Sequence, residues 1–198
     1  MARPASFDRC HVLQQAIRLF RLKGYHATSI KDLVAATGLR PGSLYAAFGD
    51  KRGLFLMALD AYYEDMKQSM FCLLHRDEPP VRRLEAFFMK LIDHACGDSG
   101  NSDCLLINTL AEIGFQDEQI GVRLQRMFGE VERELTAVLV DCERAGLLND
   151  KRGPALSARF LVSGIFGLRL FSKTLPPREE LETLAKLLVA SVIPSYEP

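Results

Sequence analysis

Apolar side chains recur at spacings of three and four along nearly the whole chain, and no apolar/polar alternation survives for more than a few residues. That period fits the helix and leaves no basis for a sheet, so an all-α fold is expected. Helix breakers and capping residues divide the pattern into nine expected helices. They cover about residues 8–23, 28–37, 41–48, 50–75, 81–96, 104–113, 117–144, 154–173 and 178–192. Thr28 or Ser29 can cap the second helix, Gly38 stops it, Pro41 suits the first turn of the third, and Asp50 can cap the fourth.

Of 198 residues, 48% are hydrophobic, ample for a packed core, yet no uninterrupted apolar run reaches the roughly 18 residues of a membrane span. The first residues lack the apolar stretch of a signal peptide, which points to a cytoplasmic protein. The five cysteines, Cys10, Cys72, Cys96, Cys104 and Cys142, are odd in number and include no CxxC pair. Free thiols are expected, not a disulfide framework or zinc ribbon. His75 and His94 stand alone, and no cluster has ligand spacing, so neither a metal nor another cofactor is expected. Net charge is zero but unevenly placed: residues 1–53 hold nine Lys/Arg and three Asp/Glu, a net of +6, balanced by −6 in the remainder. A basic head on an acidic body suits phosphate binding at one end.

Residues 28–51 carry the functional signal. Two short helices meet at Gly38, which permits a left-handed turn and a steep crossing. Ile17, Phe20, Ile30, Leu33, Val34 and Leu44 supply a small core that Phe48 closes. The third helix holds few large apolar groups and would offer Arg40, Pro41, Gly42, Ser43 and Tyr45 to a DNA major groove. Thr28, Ser29 and Lys51 lie at helix starts and flanks, where hydroxyls, backbone N–H groups and a cation meet phosphates. Capping by Thr28 and Ser29 and packing of Tyr45 on the first helix are the structural alternatives.

In order and spacing, Gly24-Tyr25, Thr28-Ser29-Ile30, Leu33-Val34, Thr37-Gly38-Leu39, Gly42-Ser43-Leu44-Tyr45, Phe48, Lys51 and Leu54 resemble the N-terminal signature of the tetracycline-repressor (TetR) family. The resemblance covers about residues 8–55. It implies a one-component regulator of transcription, most often a repressor, that pairs as a homodimer on a palindromic operator and binds an effector in its body. A DNA-binding domain over residues 1–53 and an effector-binding and dimerisation domain over 54–198 follow. Arg40 stands where the family often has a small capping hydroxyl, and Ala46 and Ala47 replace frequent aromatic or His residues.

In the body, Phe160, Ser163, Gly164 and Gly167 of the eighth helix and Leu181, Leu184 and Leu188 of the ninth are expected at a four-helix interface between two chains; packing within one chain is the alternative. An effector pocket is expected among helices four to eight, with Met66, Met70, Phe87, Phe88, Met127, Phe128 and Phe166 available to line it and an apolar or aromatic ligand in view. Cys104 opens the sixth helix, where the helix N-terminus favours a thiolate and adjacent Asp103 opposes it. The segment resembles a branch of the family that senses electrophiles or oxidants through such a cysteine, with Cys96 a candidate resolving partner. A regulator that activates, or that needs no effector, fits the same residues. A helical enzyme does not: paired catalytic carboxylates, nucleophile–base spacing and a phosphate loop are all missing.

Overall fold

A computed structural model describes residues 7–97, 104–148 and 152–196. Arg3 and residues 98–103, which include Asp103 and all but Gly97 of the loop expected over 97–103, lie outside the described residues. Among those described the elements are α1 (Arg9–Lys23), α2 (Ile30–Thr37), α3 (Pro41–Phe48), α4 (Lys51–Leu74), α5 (Pro80–Cys96), α6 (Leu105–Glu112), α7 (Glu118–Arg144), α8 (Gly153–Phe171) and α9 (Arg178–Val192). There is no strand among them. The expected eighth helix runs out two residues early: Ser172–Thr174 tighten into a 3-10 turn, closed by Leu175 in a left-handed conformation at φ 56°.

Local chemistry explains the boundaries. The Asp8 carboxylate accepts from the backbone N–H groups of Cys10 and His11 and caps α1. Ser29 and Asp32 form a reciprocal capping box at the start of α2, and Gly38 ends it in the left-handed region at φ 70°. Asp50 and Asp117 cap α4 and α7 through the N–H groups of Gly53 and Ile120. The start of α3 has no side-chain cap: Arg40 occupies that position without a capping bond, and Pro41 alone favours the turn.

Two apolar clusters fill the molecule. One joins the head to α6, the start of α7 and the first half of α4, with Phe20 fully buried and edge-on to Phe55 at 4.9 Å between ring centres. The other fills the space between the end of α4, α5, the end of α7, α8 and α9, and Met66 packs against both. At 24 residues, α4 is roughly 36 Å long, enough to serve both clusters. On α9, Leu181, Ala185, Val189 and Val192 face inward. Leu181, expected on an outward dimer face, is 1% exposed and belongs to the inner cluster. Leu184, Leu187 and Leu188 lie outward of it, with Leu187 the most exposed of the three.

Head and body are tied at one turn. Glu112, the last residue of α6, accepts from the backbone N–H of Tyr25 at 2.8 Å and of His26 at 2.7 Å, one carboxylate oxygen each. Gly24 permits this approach, because a Cβ there would sit 2.7 Å from Glu112 Oε2, and its φ of 81° suits glycine. Beside it, the Arg52 guanidinium grips both oxygens of Asp117 at 2.8 and 2.9 Å. That pair is partly solvated, so it contributes about 1 kcal/mol or less. The Glu112 bonds are charge-assisted and address backbone donors, so they set the geometry of the turn. In Glu112→Gln one of the two oxygens becomes an amide donor facing an N–H. Amide exchange at Tyr25 and His26 should then quicken about tenfold in native-state hydrogen exchange, with little change in global unfolding. Unaltered protection at both amides would show that the carboxylate does not hold the turn.

Candidate nucleic-acid interface and inner cavity

The sequence of α3 separates its faces cleanly. Leu44 and Phe48 point into the head cluster, whereas Arg40, Pro41, Gly42, Tyr45 and Ala46 are exposed and Ser43 is partly so. Tyr45, for which packing on α1 was the alternative, is 44% exposed. A Cβ added to Gly42 would meet no atom within 4 Å, so nothing in the fold requires glycine there. A smooth outward helix face, with Arg40 at its start and no side-chain hydrogen bond or ion pair described for it, matches the needs of major-groove docking.

Two expected phosphate contacts are structural instead. Thr28 is fully buried, and its hydroxyl donates to the Gly24 carbonyl at 2.6 Å. Lys51 donates to the carbonyls of Tyr25 at 2.9 Å and Thr28 at 3.0 Å, with its ammonium 4.3 Å from the centre of the Tyr25 ring. Both residues hold the α1–α2 turn from inside, opposite the Glu112 bonds. Ser29 is exposed, but its hydroxyl is committed to Asp32, donating to the carboxylate at 2.7 Å and accepting from the backbone N–H. The Lys23 ammonium completes that corner at 2.8 Å from Asp32 and, with the Ser29 bonds, holds its carboxyl well below the usual range.

The body encloses a cavity of about 50 Å³ between α4, α5, α6, α7 and α8. Of the side chains expected there, Met66, Met70, Phe87, Phe128, Phe166 and Cys104 line it. Phe88 and Met127 do not. Both are 0% exposed and pack into the two clusters, each about a quarter-turn round its helix from the lining residues. Cys104 is buried at the start of α6, with the Tyr62 hydroxyl 3.9 Å from its sulfur. Cys96 is exposed, so the two thiols face different surroundings. A larger outer cleft of about 450 Å³ adjoins the cavity and shares Tyr62, Met66, His94 and Arg169 with it. Burial keeps the Tyr62 phenol far above its usual pKa, and burial followed by the Lys90 and Arg169 cations pushes the His94 imidazole down, so both are neutral near pH 7. His75 lies elsewhere, exposed and 2.6 Å from Glu134.

Residues 12–58 match the family model described as bacterial regulatory proteins, tetR family. The HTH-type transcriptional repressor DhaR of Mycobacterium sp. (strain GP1) is 25% identical over 96% of this chain and 94% of its own. The HTH-type transcriptional repressor ComR of Escherichia coli (strain K12) is 29% identical over 92% of this chain and 88% of its own. Among solved structures, a cysteine-substituted form of the TetR family transcriptional regulator CifR, complexed with 26-base-pair double-strand operator DNA, superposes with a TM-score of 0.83. It is 28% identical, over 96% of this chain and 100% of that one. The chain carries, over residues 12–58, the N-terminal domain of the TetR family. It is a DNA-binding transcriptional regulator and not an enzyme.

The polar residues of the cavity carry no mark in the sequence pattern. Tyr62, His94 and Arg169 bring polar groups to an otherwise apolar cavity. Helical phase could have placed Arg169 four residues after Ile165 on the buried side of α8, but a lone arginine is ordinarily read as surface. Outward placement and inward bracing at the head lead to opposite outcomes on mutation. Gly42→Ala should leave thermal stability unchanged or raise it slightly, by about 0.5–1 kcal/mol, while weakening binding to any duplex the wild type recognises by about tenfold. Lys51→Met should lower the melting temperature through two orphaned carbonyls. Fluorescence anisotropy and thermal denaturation on the same samples check both; a Gly42→Ala protein that binds DNA normally would remove α3 from the groove.

Proposed function

We propose that the protein is a homodimeric repressor that leaves a palindromic operator when a small molecule fills the body cavity or when Cys104 is modified. The observation that carries this reading is the position of α6. Cys104 at its start lines the cavity, and Glu112 at its end holds the turn that orients α2 and α3. Eight residues span roughly 12 Å, short enough for a rigid helix to carry a displacement from one end to the other. An occupant that favours a shifted α6 would bias the heads toward an arrangement unsuited to DNA. The operator complex of CifR supports duplex DNA as the partner. A repressor of this kind works beside the chromosome, in the cytoplasm. Residues 1–53 serve as the DNA-binding domain and 54–198 as the effector and dimerisation domain, with α4 spanning the boundary.

The dimer reading rests on the outward faces of α8 and α9. Phe160, Ser163 and Gly167 are exposed, and Leu184 and Leu188 partly so. A hollow of about 350 Å³ between them is almost wholly apolar in lining. Leu156, Leu170, Phe171 and Leu187 extend the face, with Leu170 61% exposed. Gly164 serves packing inside the chain, since a Cβ there would collide with Leu188. Together with its 3-10 extension, α8 is apolar enough by composition to resemble a membrane span, at a mean hydropathy of 1.3 with 44% buried. A helix packed on α7 within its own chain and on a second copy outside it accounts for that composition. The two reading helices would then address half-sites about one DNA turn, roughly 34–36 Å, apart. In sedimentation velocity the wild type should run as a dimer and Leu187→Glu as a monomer, with operator affinity lost in parallel; a wild-type monomer would end the palindrome reading.

Cysteine modification has a steric logic. An N-ethylmaleimide adduct, with the Cys104 sulfur bonded to one alkene carbon and a proton added to the other, is larger than a 50 Å³ cavity can hold. Walls must move, and α6 is the wall that bears the cysteine. On palindromes taken from the DNA beside its own gene, maleimide should release the wild type and spare Cys104→Ser, which keeps the exposed Cys10, Cys72 and Cys96. Equal release from both proteins would take Cys104 out of the mechanism.

A further inference from the structure

Arg169 is a buried cation that no described acid of its own chain pairs with. It sits on α8 at 4% exposure, lining both the inner cavity and the outer cleft. Its guanidinium makes one long hydrogen bond, Nη1 to the Leu91 carbonyl at 3.4 Å, and its Nε is buried with no partner. The guanidinium is a permanent cation, so the site holds a desolvated positive charge with no counter-ion among the described residues. Such a charge is costly unless something pairs with it.

Neighbouring acids do not. Asp65 and Asp93 line only the outer cleft: Asp93 lies 2.7 Å from Arg178, and Asp65 accepts from Gln14 at 3.1 Å. Tyr62 and His94, the polar groups that share the junction, are both neutral. Arg18 and Arg21 add further positive charge along the cleft, with Arg21 5.8 Å from the centre of the Tyr62 ring. Asp65 offsets part of that charge in the cleft, but neither aspartate lines the inner cavity, where Arg169 is the charged group among the described lining residues and favours an anion. Past the junction lie Met66, Met70, Phe87, Phe128 and Phe166, a lining with almost no polar surface. Cationic at the neck and apolar beyond, the site has the polarity of an amphiphile's complement.

We infer that the cavity takes a small organic carboxylate with an apolar body, its carboxylate held by the Arg169 guanidinium and its body among the Met and Phe side chains. This rests on the reading of the cavity as the effector site and specifies the chemistry of the effector. The fork formed by Nε and an adjacent Nη presents two parallel donors to two carboxylate oxygens, the geometry in which arginine binds most strongly and selectively. At about 50 Å³ the inner space holds little more than a water or two, so the body must displace side chains. Met66 and Met70, unbranched and adaptable, are the walls that can give. The 450 Å³ cleft is the route by which the ligand arrives. Loading a cavity bounded by α6 would press on the helix that ends at Glu112.

The test uses matched pairs of probes, octanoate against octan-1-ol and benzoate against benzyl alcohol, titrated into the full-length protein by calorimetry and by thermal shift. Wild type should bind each carboxylate about 10- to 100-fold more tightly than its alcohol. Arg169→Met, a substitution of similar volume that removes the buried charge, should lose that preference while keeping its affinity for the alcohols. Arg169→Lys, which keeps the charge without the fork, should retain part of it and stands in should the Met variant fail to fold by circular dichroism. Equal affinity for acid and alcohol in the wild type, or an undiminished preference in Arg169→Met, would overturn the carboxylate assignment and leave the cavity as an effector site. Failure of all four probes to bind the wild type would overturn the effector reading of the cavity, and this inference with it.

Discussion

The α1–α2 turn is held from two sides, and the arrangement of the molecule follows from it. From outside, the Glu112 carboxylate takes the backbone N–H groups of Tyr25 and His26. From inside, the Lys51 ammonium takes the carbonyls of Tyr25 and Thr28. One short loop is thus fixed by an acid from the body and a base from the start of α4, each satisfying backbone groups that would otherwise be unpaired. The direction of α2, and through Gly38 that of α3, is set by these bonds. In the proposed mechanism a movement of α6 reaches that turn through the Glu112 carboxylate, alongside the apolar cluster that α6 shares with the head.

The same economy governs α8. Its inner face packs on α7 and contributes to the larger apolar cluster, while Phe160, Leu170 and Phe171 stay exposed. One apolar sequence therefore serves two surfaces, and Arg169 interrupts the inner one at the cavity neck. The helix that supplies the proposed dimer face also carries the charge at the ligand neck, so both duties are placed on a single rigid element.

Helices and their ends were legible in the sequence because their causes are local. Asp8, Ser29, Asp50 and Asp117 cap within three residues of themselves, and Gly38 needs only its own backbone angles. Most of the cavity lining was legible too, since Met and Phe spacing shows which side of a helix is apolar. What failed depended on direction and on distant partners. Lys51 and Thr28 read as exposed because their carbonyl and ring partners lie in a turn defined by three-dimensional packing. Leu181, Phe88 and Met127 are apolar residues on apolar stripes, and helical phase alone did not say which edge of the stripe faces which neighbour. Arg169 was unreadable because charge normally signals surface, and only the enclosing helices reveal that it is buried. The Glu112 link joins residues 86 and 87 positions apart, beyond any periodicity argument.

The outward side of α3 carries no structural duty: Gly42 has empty space where a side chain would go, and Arg40 caps nothing. Selection can therefore rewrite the letters this helix reads without first securing a compensating change in the fold. A lineage descended from this chain is free to acquire new target genes while its body stays as it is, and the body can change its packing while the target holds. The half-buried turn between them is the part that neither kind of divergence can afford to lose.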